Sequence, residues 1–128
     1  MLDDRTTMPD PNIAPFAGWS YDDNATGWNA LLGAGHEGRD VNPAAAPGRL
    51  KDACGLPPGY IEVGQLDVFR DESLRYAVTL SQAGVPVELH MHPGVPHEYD
   101  AIAFDADAPR RAAPRRAQAD RIRVLWNL

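Results

Sequence analysis

Apolar and polar residues alternate over residues 60–64 and again over 85–91. Ile61 and Val63 sit in the first run. In the second, Val87, Leu89 and Met91 share one side and Glu88, His90 and His92 the other. A period of two marks a strand. Between the runs the period changes: Leu74, Ala77, Val78 and Ser81 recur at i, i+3, i+4 and i+7, predicting a helix over 72–83. Asp71 suits its N-cap, Glu72 its first turn and Gly84 its left-handed stop. Strand, helix, strand at this length predicts a βαβ unit with parallel strands and a right-handed crossover. A last helix is predicted over 112–127, with Ala119, Ile122, Leu125 and Trp126 on one side.

The first 58 residues lack any such rhythm. Asp3, Asp4, Asp10, Pro11, Asn12, Pro15, Gly18, Asp22, Asp23 and Asn24 predict irregular chain over 1–24. Phe16, Trp19 and Tyr21 are its candidate anchors. Thr26 reads as the N-cap of a short helix over 27–34, with Trp28, Leu31 and Leu32 at helical spacing and Gly35 beyond its end. Residues 35–58 carry four prolines and return to loop, with at most one helical turn near 49–53. The chain thus divides into an irregular lead-in, 1–58, and a βαβα segment, 59–128. Two strands cannot make a stable parallel sheet alone, because such sheets need further strands and helices on both faces. The fold class is α/β with an incomplete sheet, and the sequence reads as part of a single domain.

Length and charge narrow the options. At 128 residues there is one domain at most. A net charge of −6 argues against nonspecific nucleic-acid binding. The arginines between Arg110 and Arg123 read as the wet face of the last helix. The single cysteine, Cys54, excludes an internal disulfide and points to a reducing, cytoplasmic compartment. The N-terminus lacks a signal peptide's apolar region, and no apolar run approaches the ~18 residues of a membrane span.

Asp67 and His97 follow the ends of the two predicted strands, where open α/β sheets keep their chemistry. A carboxylate held against one imidazole nitrogen fixes the tautomer and leaves the other free to take a proton from a nucleophile. Spacing alone favours a plainer reading, in which Asp67 caps a turn and His97 is an ordinary loop histidine. His90 and His92 lie on one strand face, and His97 is a conceivable third metal ligand, but no further pattern completes a site. Ser20, in Gly18-Trp19-Ser20-Tyr21-Asp22, has half of a G-x-S-x-G elbow, with no preceding strand and Asp22 where the second glycine belongs. Cys54 has no basic neighbour to lower its pKa and reads as a buried or inert thiol.

The run GLPPGYIEVGQLDVFRDESLRYAVTLSQAGVPVELHMHPGVPHEYD resembles the C-terminal part of the hormone-sensitive-lipase-like α/β-hydrolases, a bacterial esterase and lipase group. It corresponds phrase by phrase to that family's acid strand, helix and histidine strand. MLDDRT looks like the segment after its sixth strand, and GWNALLG and NPAAAP like its connecting region. The resemblance implies a carboxylic ester hydrolase of serine type, with the triad acid at Asp67 and the general base at His97. Asp71 matches a second acid that orders the loop. Where the family usually has His-Gly-Phe, this chain has His97-Glu98-Tyr99. The HGGG-type oxyanion loop and the nucleophile elbow have no counterpart and are expected upstream of Met1. Alone, the chain is therefore expected to be inactive, since acyl transfer needs an activated nucleophile and an oxyanion hole. No cofactor is implied. The expected partners are a small ester in the complete enzyme, and a second copy or the missing N-terminal half. Two other readings stay open: a non-catalytic truncated hydrolase module that self-associates or pairs with another chain, and a small metal-binding protein using His90, His92 and His97.

Overall fold

In the computed structural model, which describes residues 1–5 and 8–99, the two alternating runs pair as parallel strands. They are β1 (Gly59–Gly64) and β2 (Val87–His92). Ile61 lies opposite Leu89, Glu62 opposite His90 and Gly64 opposite His92. The second strand starts two residues later than its alternation predicts, because Val85 closes the preceding helix instead. The predicted helix over 112–127 and its arginines lie outside the described residues.

The connecting helix runs Arg70–Gln82; numbered in chain order after the helix Tyr21–Leu32, called α1, it is α2. Its C-terminus is a Schellman turn. Gly84, at φ 75°, donates to Ser81 O, and Val85 donates to Leu80 O, at 3.0 Å each. Glycine is required there because a Cβ disfavours left-handed backbone. Val85 then packs on Leu80 and Ala53, with Leu50, Ile61, Tyr76 and Val87 around them. Burying Leu80 is worth about 1.5–3 kcal/mol.

The N-terminus of α2 departs from expectation. Its N-cap is Phe69, without a side-chain cap. Asp71 lies inside the first turn, where its carboxylate complements the helix dipole and accepts from Arg70 Nε at 2.6 Å. The buried positions are Glu72, Ser73, Ala77 and Leu80, rather than Leu74, Ala77, Val78 and Ser81. Val78 is 53% exposed. Both stripes have helical spacing; contact with β1, β2 and the Ala53 loop selects between them.

α1 begins well before the predicted helix. Thr26 lies within it, and its N-cap is Ser20. Ser20 Oγ accepts from Asp23 N at 3.1 Å, while Asp23 Oδ2 accepts from Ser20 N at 2.9 Å, a reciprocal capping box. The density of turn-forming residues before 24 masked this start, since Asp and Asn serve first turns as well as loops. Asn24 and Trp28 are buried on α1, while Leu31 is 62% exposed. Phe16 and Trp19 are exposed too. The anchor of the lead-in is Ile13, packed on Val68 and Phe69 with Tyr21 alongside.

The irregular segment is held by charge. Asp4 is fully buried. It accepts from Arg49 Nε at 2.7 Å and Nη2 at 2.6 Å, and its Oδ2 lies 2.8 Å from His36 Nδ1. Arg49 also donates to the carbonyls of His36, Glu37 and Arg39, in and beside the short 3-10 turn His36–Gly38. One guanidinium thereby stitches residue 4 to the loop over 36–39. The Arg49 bonds hold the Asp4 carboxyl down at about 2, below its usual 3.8. A depressed acid stabilises the fold above its unfolded pKa and stops doing so as pH falls through the folded one. Unfolding midpoints measured between pH 4 and 2 should therefore drop. Asp4→Asn should flatten that slope; an unchanged slope would remove Asp4 as its source.

Candidate active site

β1 and β2 end side by side, and the loops leaving them meet. The acid loop, residues 65–69, turns directly into α2. The histidine loop, residues 93–97, folds back across the end of β1. Gln65 donates to His92 O at 2.8 Å and Leu66 to Val95 O at 3.0 Å, while Gln65 Oε1 accepts from Gly94 N at 3.0 Å. These bonds tie the two loops together independently of their chemical side chains.

Gly64 makes the approach feasible. A Cβ there would stand 2.8 Å from Pro96 O and closer still to Val95 O, both backbone atoms that cannot swing aside. Gly64→Ala should thus displace the loop carrying His97 and destabilise the chain by about 1–3 kcal/mol. Urea unfolding measures the cost; a stability equal to the parent's would show that the loop yields freely. An isolated glycine at a strand end is the sequence signal for such a contact, and it was available at Gly64.

Between the loops, His97 Nδ1 lies 3.0 Å from Asp67 Oδ2. Asp67 is 6% exposed, whereas the His97 side chain is 29% exposed. The other oxygen, Asp67 Oδ1, accepts from Phe69 N at 2.8 Å. Asp67 therefore caps its own turn with one oxygen and meets the imidazole with the other, so both readings of this residue describe part of its geometry. An ionised carboxylate only accepts, so the Asp67 contact places a proton on Nδ1 and leaves Nε2 as the proton acceptor. The Phe69 ring meets the His97 ring edge-on, with centroids 4.9 Å apart, which further fixes the imidazole plane. Arg70 braces the acid loop. It donates to Gln65 O at 3.3 Å and Asp10 Oδ2 at 3.2 Å, and its pairing holds the Asp71 carboxyl below the ordinary range.

The other candidates fall elsewhere. Ser20 Oγ is engaged with Asp23 in the α1 cap. Cys54 is exposed rather than buried, and the neighbouring Asp52 pushes its thiol pKa up, the wrong direction for a nucleophile. His90 Nε2 lies 2.6 Å from Glu88 Oε1, and His92 Nε2 lies 3.3 Å from Glu62 Oε1. His97 faces Asp67 instead. Among the described residues, no group of three or more His, Cys, Asp or Glu side chains is placed to hold a metal ion. No described helix is long and apolar enough to cross a membrane.

A parallel pair joined by a helix, with Asp67 and His97 meeting beyond its carboxyl ends, is an α/β arrangement, and comparison with known families agrees. Residues 2–101 match the model of the alpha/beta hydrolase fold, and the chain belongs to that family. It is similar to the esterase LipI of Mycobacterium tuberculosis, 41% identical over 83 residues, which cover 63% of this chain and 26% of that protein. It is 40% identical over 70 residues to the carboxylesterase NlhH of the same species, covering 55% of this chain and 22% of that one. Among solved structures, a bacterial heroin esterase superposes with a TM-score of 0.79 at 38% identity, over 90% of this chain and 37% of that one. Brefeldin A esterase, described as a bacterial homologue of human hormone sensitive lipase, shares the fold with a TM-score of 0.72 at 23% identity, over 95% of this chain and 36% of that one. The expected α/β-hydrolase membership thus holds at the level of family. The chain spans about a quarter of the length of LipI and little more than a third of the structures it matches.

Proposed function

We propose that this chain is the C-terminal portion of a carboxylesterase-type α/β-hydrolase and carries two members of its catalytic triad. Asp67 is the acid and His97 the general base. The observation that carries this reading is the 3.0 Å contact between them at the ends of adjacent parallel strands.

In the complete enzyme, an upstream serine hydroxyl attacks the ester carbonyl while His97 Nε2 takes its proton. The resulting imidazolium is stabilised by Asp67 and passes the proton to the departing alcohol. Water, deprotonated by His97, then releases the acid from the acyl-enzyme. The similarity to carboxylesterases supports carboxylic esters as the substrate class. Without a nucleophile elbow and an oxyanion loop, the 128-residue chain alone turns over no ester.

The experiment is complementation. The chain is co-expressed with an upstream segment of an α/β-hydrolase carrying the HGGG-type loop and the G-x-S-x-G elbow, then assayed with p-nitrophenyl acetate and butyrate. Hydrolysis by the pair but by neither part supports the reading. Labelling of the isolated chain at Ser20 by a fluorophosphonate would overturn it.

One observation favours a second reading, a non-catalytic module that pairs with itself or another chain. Leu89 and Met91, on the sheet face that α2 partly covers, are 37% and 47% exposed. Apolar strand residues open to water invite association. Stable dimers, together with no hydrolysis in any pairing, would favour the module.

A further inference from the structure

The sheet face opposite α2 carries Tyr60, Glu62, Glu88, His90 and His92. Glu62 sits mid-strand in β1, with its side chain only 7% exposed. Its Oε2 accepts from the Tyr60 hydroxyl at 2.8 Å, and its Oε1 accepts from the Tyr99 hydroxyl. Tyr99 is buried, its ring centroid 5.4 Å from that of His92. Tyr99 stands two residues past His97, so one carboxylate on β1 anchors the far side of the histidine loop.

Glu98, between them, has φ 56°. Left-handed backbone is disfavoured for any residue with a Cβ and persists where the surroundings over-determine it. On one flank the constraint is His97, held by Asp67 and Phe69. On the other it is Tyr99, held by Glu62. With either flank released, Glu98 can relax into a common conformation, which rotates the chain on which His97 is carried.

We propose that Glu62 is a positioning residue that, through Tyr99, keeps Glu98 left-handed and the His97 imidazole on Asp67. Its catalytic consequence rests on the role assigned above to Asp67 and His97. Its test reads the contact between those side chains and requires no ester hydrolysis, so the two can fail separately.

Long-range proton–nitrogen NMR of the full chain reports the tautomer of each imidazole. His36, whose Nδ1 lies 2.8 Å from Asp4, serves as the internal reference. Tyr99→Phe and Glu62→Leu should each move His97 from the Nδ1-protonated tautomer toward the mixture of a free imidazole, leaving His36 unchanged. Adding Glu98→Gly to Tyr99→Phe should restore the His97 signature, because glycine adopts the left-handed conformation unaided. If Glu62→Leu unfolds the chain, both histidines change together and Tyr99→Phe decides. A folded Tyr99→Phe chain that keeps the His97 tautomer overturns the proposal, as does a loss that Glu98→Gly fails to restore.

Discussion

Asp67→Asn should lower kcat of the complemented enzyme by about 10⁴-fold while leaving KM and thermal stability nearly unchanged. The size follows from which oxygen does what. Oδ1 accepts from Phe69 N at 2.8 Å, and Oδ2 meets His97 Nδ1 at 3.0 Å. An amide at this position satisfies the Phe69 N–H only with its oxygen. Its NH₂ group then faces His97 Nδ1 and needs an acceptor there, which drives the ring proton to Nε2. The imidazole stays in place but in the tautomer that cannot take a proton from serine. Steady-state kinetics on p-nitrophenyl butyrate, with a melting curve beside them, test this. A loss below about tenfold would mean that Asp67 only closes its turn.

Arg49→Leu should cost about 3–5 kcal/mol, the penalty for leaving a buried charge without its partner. Asp4 is fully buried and takes both of its short bonds, 2.6 and 2.7 Å, from Arg49. Without the guanidinium, His36 is the charged or polar side chain left hydrogen-bonded to it among the described residues, and three loop carbonyls lose a donor as well. Whole domains are stable by only 5–15 kcal/mol, so a loss of this size should leave the variant largely unfolded at room temperature. Urea titration followed by circular dichroism gives the number. The double variant Arg49→Leu/Asp4→Asn should recover part of the loss, because it removes the stranded charge. A single variant within 1 kcal/mol of the parent would show that water reaches Asp4 and screens it.

These two predictions sit at opposite ends of what could be read from the residues. Strand alternation made it legible that Asp67 and His97 each lie just beyond a strand end, and parallel strands bring such ends together. Spacing alone favours the plainer reading of both, and their pairing is implied only by the family resemblance. The Asp4–Arg49–His36 cluster was not legible. Its members stand 32 and 45 residues from Asp4 in chain with no period, and nothing local distinguishes a buried Asp from the many turn-forming ones around it. Glu62 was similarly hidden: an acid in a short alternating strand reads as solvent-facing until Tyr99 is seen to cover it.

Errors at helix ends have one cause. Thr26 and Asp71 are good caps by type, yet Ser20 caps α1 and Phe69 precedes α2. Several Asp, Asn, Ser and Thr residues near each start compete, and local preferences differ by less than the energy of docking the helix.

Residue order alone determined the βαβ unit, the Gly84 stop, the parallel pairing and the two loops that carry Asp67 and His97, because period and glycine placement are local properties with large energetic consequences. Folding in three dimensions settled which stripe of α2 faces inward, which carboxylate is buried with Arg49, and how Gly64 admits the histidine loop. Those outcomes depend on contacts between segments tens of residues apart, and no window along the chain contains both partners.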